Sequence, residues 1–224
     1  MSTDANTARK AHHFFVLHRV PYDLYARLRD EPANRHTRMN YYDGTLELMS
    51  PEYRHEKGAV RLGTIVRVVT VELKIPCTSS RLTTFRRSGD LPLKGRAKEP
   101  DESFYLANEP RIRDKDAIDL EVDPPPDLWI EVDTRGSSLG KLPVYAALGV
   151  PEVWRYRPRR GVLWFGRLGP DGYESIDRSL ALPMLSPAPV LEALAMSVGQ
   201  PESSWERQLQ AWARERFGPR AEQD

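Results

Sequence analysis

With 224 residues and a formal net charge of +1, the chain is long enough for one domain with a real core and short for two. The near-neutral balance excludes a globally basic nucleic-acid binder and leaves room only for a local basic surface. Cys77 is the single cysteine and cannot form an internal disulfide, and no apolar run has the length of a membrane span or a signal peptide. A reducing cytoplasm is therefore the expected compartment, with no membrane partner.

Residues 1–12 are polar and aperiodic and read as a disordered tail, with order beginning near Phe14. From Pro21, the residues Leu24, Tyr25 and Leu28 recur at helical spacing, and Pro32 marks the stop. Residues 40–49 read as a β-hairpin, because Asp43-Gly44 favours the positive φ angles of a tight turn. Glu47, between Leu46 and Leu48, points away from the face they bury. Ser50 is a candidate N-cap for a long helix whose apolar stripe is Leu62, Ile65, Val66, Val69 and Leu73.

Residues 75–80 and 82–87 are strand-like, and 88–92 carry a loop signal. Arg81, Arg86, Arg87, Lys94, Arg96 and Lys98 make this stretch locally basic, as a solvated loop and strand edge would be. A strand is expected over 103–106, then a loop of mixed charge over 108–123, and Pro124-Pro125-Pro126 stiffens the approach to a further strand at 128–132. Leu142, Tyr145 and Leu148, with Leu139 before them, imply a helix that begins near Lys141 and ends at Gly149. Residues 152–156, 162–165 and 173–176 have the signature of a meander. Val190, Leu191 and Leu194 mark a short helix, and Trp205, Leu209, Trp212 and Ala213 form one face of a last helix, suited to core or to an oligomer contact.

The strand at 128–132 is apolar enough to be internal, yet it carries Glu131, with Asp133 just beyond, and the two-residue period puts both on one face. Buried carboxylates repel each other and are costly to desolvate, so they need a strand-end exposure or a shared cation. Asp101, at the head of the strand over 103–106, is a third acidic candidate. Mg²⁺ takes oxygen ligands, commonly one or two carboxylates plus waters and a substrate phosphate. Such a site suits phosphodiester cleavage, with a lysine to orient the nucleophile or stabilise developing charge, and Lys141 is the candidate.

At these residues the chain resembles the PD-(D/E)xK nuclease superfamily, and more closely the Uma-two family of restriction-endonuclease-like bacterial proteins. Pro100-Asp101 resembles the PD element and Glu131-Val132-Asp133 stands in the place of (D/E)xK. The closer resemblance takes in residues 44–51 with His55, Lys141-Leu142-Pro143-Val144-Tyr145 and Gly149-Val150-Pro151-Glu152-Val153-Trp154, and runs from about Tyr41 to Tyr173. It implies an α/β fold with a restriction-endonuclease-like core over 13–185: a mixed central sheet flanked by helices, with the hairpin on its N-terminal side. Residues 186–224 would be a C-terminal helical extension. It further implies Mg²⁺ or Mn²⁺ on Asp101 and Glu131, DNA as the nucleic-acid partner and, by analogy, a homodimer. Asp133 replaces the superfamily's lysine. It is a candidate further metal ligand but cannot supply a cation, so the resemblance moves that role to Lys141. Glu47 is placed near the metal, as a ligand or water-orienting group.

Each of these residues also has an ordinary structural reading. Asp101 can open a turn, Asp133 can cap the next segment, Lys141 can lie on a helix surface, Glu47 can be an exposed hairpin residue, and His55 can be hydrogen-bonded scaffold rather than a general base. Three functional readings compete. The first is a divalent-metal-dependent endonuclease. The second is a catalytically weak nuclease-fold module that binds nucleic acid or a protein. The third, a two-carboxylate glycosidase, is disfavoured because Trp154, Trp164, Trp205 and Trp212 sit where core residues do.

Overall fold

The computed structural model describes residues 14–49, 53–81, 83–133 and 141–218. The expected tail, the Ser50 cap, Leu82 and Leu139 lie outside the described residues. The first elements are β1 (Phe14–Leu17), α1 (Tyr22–Asp30), β2 (Arg38–Tyr42), β3 (Thr45–Met49) and α2 (Tyr53–Glu72). Next come β4 (Thr78–Ser79), β5 (Phe85–Ser88), β6 (Gly95–Lys98), β7 (Glu102–Tyr105), α3 (Glu109–Ile112) and β8 (Leu128–Val132). The chain continues through α4 (Lys141–Ala147), β9 (Glu152–Arg157), β10 (Val162–Gly169) and β11 (Gly172–Ser175) to α5 (Pro187–Met196) and α6 (Glu202–Phe217).

The architecture is mixed α/β, with two sheets. A six-stranded sheet runs β11-β10-β9-β8-β7-β4, antiparallel except for the parallel β8–β9 pair, which α4 connects. The hairpin expected from Asp43-Gly44 forms, with φ of 42° and 87° at those residues and Tyr41 opposite Leu46. It lies within a second, antiparallel sheet ordered β1-β3-β2-β6-β5.

The core follows from the apolar stripes. Leu62, Ile65, Val66 and Val69 of α2 are buried against Ile130 and Val132 of β8. Trp205, Leu209, Trp212 and Ala213 of α6 belong to the same cluster, so the C-terminal stripe is core, and Trp205 Nε1 donates to the Ala193 carbonyl at 2.9 Å. On the opposite side of β8, Trp129, Tyr145, Val144 and Phe85 build a second cluster.

Two stretches differ from expectation. The segment Gly95–Lys98 is an inner strand between β2 and β5, not a solvated loop, and buries Ala97 and Lys98. The region 108–123 is not a featureless loop either: α3 forms there, and Ile112 and Leu120 reach into the second cluster. Both escape a period-based reading because their few apolar residues are interspersed with charge. The side chain of Asp127 then fixes the approach to β8, accepting from the Leu106 and Asn108 backbone amides at 2.7 and 2.9 Å.

Candidate active site

Alternation along β8 sends Ile130 and Val132 to the α2 side, and Trp129 to the other, where it meets Phe85 and Tyr145 at ring-centroid distances of 5.4 Å. Glu131 shares the Trp129 side and is 0% exposed. In the antiparallel β7–β8 pair Glu102 stands opposite Ile130, so one further step of that register brings Asp101 opposite Glu131. The pair therefore shares a face of the sheet, as the sequence pattern requires.

Asp101 is gripped from three directions. Its side-chain Oδ2 accepts the backbone amide of Val132, on the neighbouring strand β8, at 2.8 Å. Arg38 of β2 donates to its Oδ1 at 2.8 Å, and His55 Nε2 in the first turn of α2 lies 3.0 Å from Oδ2. Burial alone would raise the Asp101 carboxyl, but the His55 hydrogen bond and the Arg38 charge outweigh it and hold that group well below the usual carboxylate range. Burial would in turn depress His55, yet bonds to Asp101 and Glu56 push its pKa up to about 9. The imidazole at neutral pH is thus a cation paired with Asp101.

Glu131 faces two ammonium groups. Lys141 Nζ, from the start of α4, lies 3.3 Å from Oε2, and Lys98 Nζ, from the end of β6, lies 3.4 Å from Oε1. The Lys98 contact is an ion pair without hydrogen-bond geometry, and Oε1 has no hydrogen-bond partner among the described residues. Burial lowers the pKa of Lys98 while Glu131 opposes the shift. Burial would lower Lys141 as well, but Glu131, Asp101 and Asp133 together hold it above the ordinary lysine value.

Asp133 shares this face of the sheet, but its oxygens are occupied. Lys141 Nζ lies 2.8 Å from Oδ1, and Arg155 of β9 closes on Oδ2 with Nη2 at 2.6 Å and Nε at 3.0 Å. Burial would raise the Asp133 carboxyl, and Lys141 with Arg155 reverse that and lower it. Glu47 is not an exposed hairpin residue: it is buried opposite Asn40, whose Nδ2 donates to Oε2 at 3.3 Å. Strand alternation sets Glu47, Asn40 and Arg38 on one face, the face from which Arg38 reaches Asp101.

The structure thus pairs Asp101 with His55 in one group of ion pairs and Glu131 and Asp133 with Lys141 in a second, and sets Glu47 on the face of β2 and β3 that carries Arg38. It adds Arg38 and Lys98, which sequence reasoning missed. The polar alternation Arg38-x-Asn40 was a weak signal for the first. Lys98 had none, being one cation within a basic run. Among the described residues no group of three or more His, Cys, Asp or Glu side chains is spaced to hold a metal ion. Asp101 and Glu131 are carboxylates on neighbouring stretches of one sheet, and one Glu131 oxygen is free of hydrogen bonds; a hard cation that also takes waters and a phosphate fits this donor set once it displaces the protein donors on Asp101.

No helix among the described residues is long and apolar enough to cross a membrane. The family model Uma2, described as "Putative restriction endonuclease", matches residues 22–199, a wider span than the motifs alone delimit. A solved structure described as "Crystal structure of a putative nuclease belonging to DUF820 from Anabaena variabilis ATCC 29413" is similar over 87% of this chain and 99% of its own, with 17% identity and a TM-score of 0.46. No curated protein matches the chain.

Proposed function

Because the chain belongs to the Uma2 family, we propose that it is a Mg²⁺- or Mn²⁺-dependent endonuclease that hydrolyses phosphodiester bonds in DNA. The observation that carries the reading is the placement of Lys141 Nζ 3.3 Å from Glu131, on the face where the β7–β8 register sets Asp101. That ammonium stands in for the lysine missing two residues after Glu131.

Asp101 and Glu131 would hold the cation, which when bound supplies charge neutralisation at a phosphate oxygen and a more acidic water. Lys141, kept protonated by its acidic neighbours, orients the nucleophile or stabilises charge developing on the phosphate. Asp133 is a positioning residue in this scheme, its two oxygens holding Lys141 and Arg155 in place. Arg38 and His55 fix the orientation of Asp101. Glu47 and its partner Asn40 border the site, where Glu47 can orient a water. A homodimer would present two such sites to two strands.

Nicking of supercoiled plasmid in Mg²⁺ or Mn²⁺, by protein that light scattering sizes as a dimer, tests the proposal. Asp101→Asn and Glu131→Gln are each expected to abolish cleavage with the circular dichroism spectrum unchanged. Cleavage that survives both substitutions removes these carboxylates from the reaction. One observation favours the alternative of a non-catalytic nucleic-acid-binding module: Asp101, Glu131 and Asp133 all have protein cations as partners. Metal-independent DNA binding without any cleavage would favour that module.

A further inference from the structure

We propose that the β9–β10 arm is the surface that holds DNA beside the cut phosphate, through Arg157, Arg159, Arg160 and the indole of Trp164. The inference rests on the nucleic-acid reading of the site and adds where the flanking strand lies.

The parallel register sets Arg155 opposite Glu131, and alternation then puts Arg157 on the same face, one step further out beside Asp133. The Arg157 Nε is 4.0 Å from Asp133, and its side chain is 46% exposed. At the turn that follows, Arg159 and Arg160 are exposed and make no ion pair among the described residues. Positive charge therefore continues outward from Lys141 and Arg155, which are committed to the acidic cluster, to three arginines with guanidinium surface left for phosphate.

Trp164 supplies a second kind of contact on the same face. It pairs with Arg155 across the β9–β10 ladder, whereas Phe165 pairs with Trp154 on the core side and stacks on it at 4.2 Å. Trp164 is only partly buried and lies flat over Gly166, where a Cβ would come within 2.0 Å of the indole. Glycine at 166 leaves the ring room to lie along the sheet. A partly exposed aromatic on the same arm as exposed arginines is the combination by which proteins hold a nucleic-acid strand, with cations on phosphates and a ring against a base or sugar.

The test is fluorescence anisotropy with a labelled DNA duplex, and separately the same sequence as a single strand, in EDTA so that nothing is cut, over a series of salt concentrations. The triple substitution Arg157→Ser, Arg159→Ser, Arg160→Ser is expected to weaken binding roughly tenfold or more and to flatten the slope of log affinity against log salt by about two to three. Trp164→Leu is expected to weaken binding with the slope unchanged, as loss of a non-ionic contact does. Arg27→Ser, which removes an exposed arginine paired with Asp23 on α1, should change neither. Affinity and slope that stay at wild-type values in the triple variant overturn the arm, even where the wild type cuts DNA. A wild type that binds through the arm and never cuts upholds the arm and overturns the endonuclease. A wild type that binds neither form of DNA overturns the arm outright.

Discussion

Lys98 and Glu131 illustrate how a buried charge depends on its partner. Each is almost wholly enclosed, and removing Glu131 strands Lys98 in a medium where an isolated ion is costly, whereas removing Lys98 leaves Glu131 paired with Lys141. Glu131→Gln is therefore expected to destabilise the protein by about 3 kcal/mol or more, while the double variant with Lys98→Met recovers much of that loss. Urea denaturation of the two single variants and the double reads this directly, and additive losses would mean that the pair is not coupled. The contact between His55 and Asp101 makes a pH-dependent contribution. The folded-state pKa of His55 is raised to about 9 from 6.5, so its stabilisation is full below about 6.5 and is lost as the pH rises through about 9. The shift bounds the effect at about 3 kcal/mol. Thermal midpoints of the wild type should fall across that window, and those of His55→Gln should fall less; parallel curves would exclude this contact as the cause. At this scale Glu131 was legible, because a charge at an inward position of an apolar strand breaks the period. Arg38 and Lys98 were not, since whether a basic side chain is buried depends on which strands lie over it.

Among the elements, β9 joins the site to the C-terminal helices. Glu152 at its start is 0% exposed and accepts from Trp154 Nε1 at 2.6 Å, Ser179 Oγ at 3.0 Å, and the Leu180 and Ala181 amides at 2.8 Å each. A carboxylate inside the Gly149-to-Trp154 block thus satisfies backbone donors of the segment leading to α5. Glu152→Ala leaves those donors unpaired and should cost roughly 2 to 4 kcal/mol. Hydrogen exchange should show protection lost first at the Leu180 and Ala181 amides; protection unchanged there would contradict the role. Elements with a local cause were readable: the hairpin from Asp43-Gly44, the α2 stripe from its period, and the start of α4 near Lys141. The strand Gly95–Lys98 was not, because Gly-Arg-Ala-Lys has no large apolar or β-branched residue, and it pairs only because β2 and β5 flank it.

Over the whole molecule, the acidic network forms where the two sheets and two helices meet. Arg38 comes from the hairpin sheet, His55 from α2, Lys98 from β6, Lys141 from α4, and the carboxylates from β8 and the residue before β7. The division into two sheets was invisible in the chain, since sheet membership is settled by long-range pairing rather than by any local pattern. The central claim is that Asp101 and Glu131 together bind one divalent cation, displacing protein cations from them as it enters. Calorimetric titration of Mn²⁺ into the protein near neutral pH tests it most directly. One site per chain in the wild type, absent from both Asp101→Asn and Glu131→Gln, is the result predicted. No measurable Mn²⁺ binding in the wild type, or binding undiminished in the two variants, would contradict it.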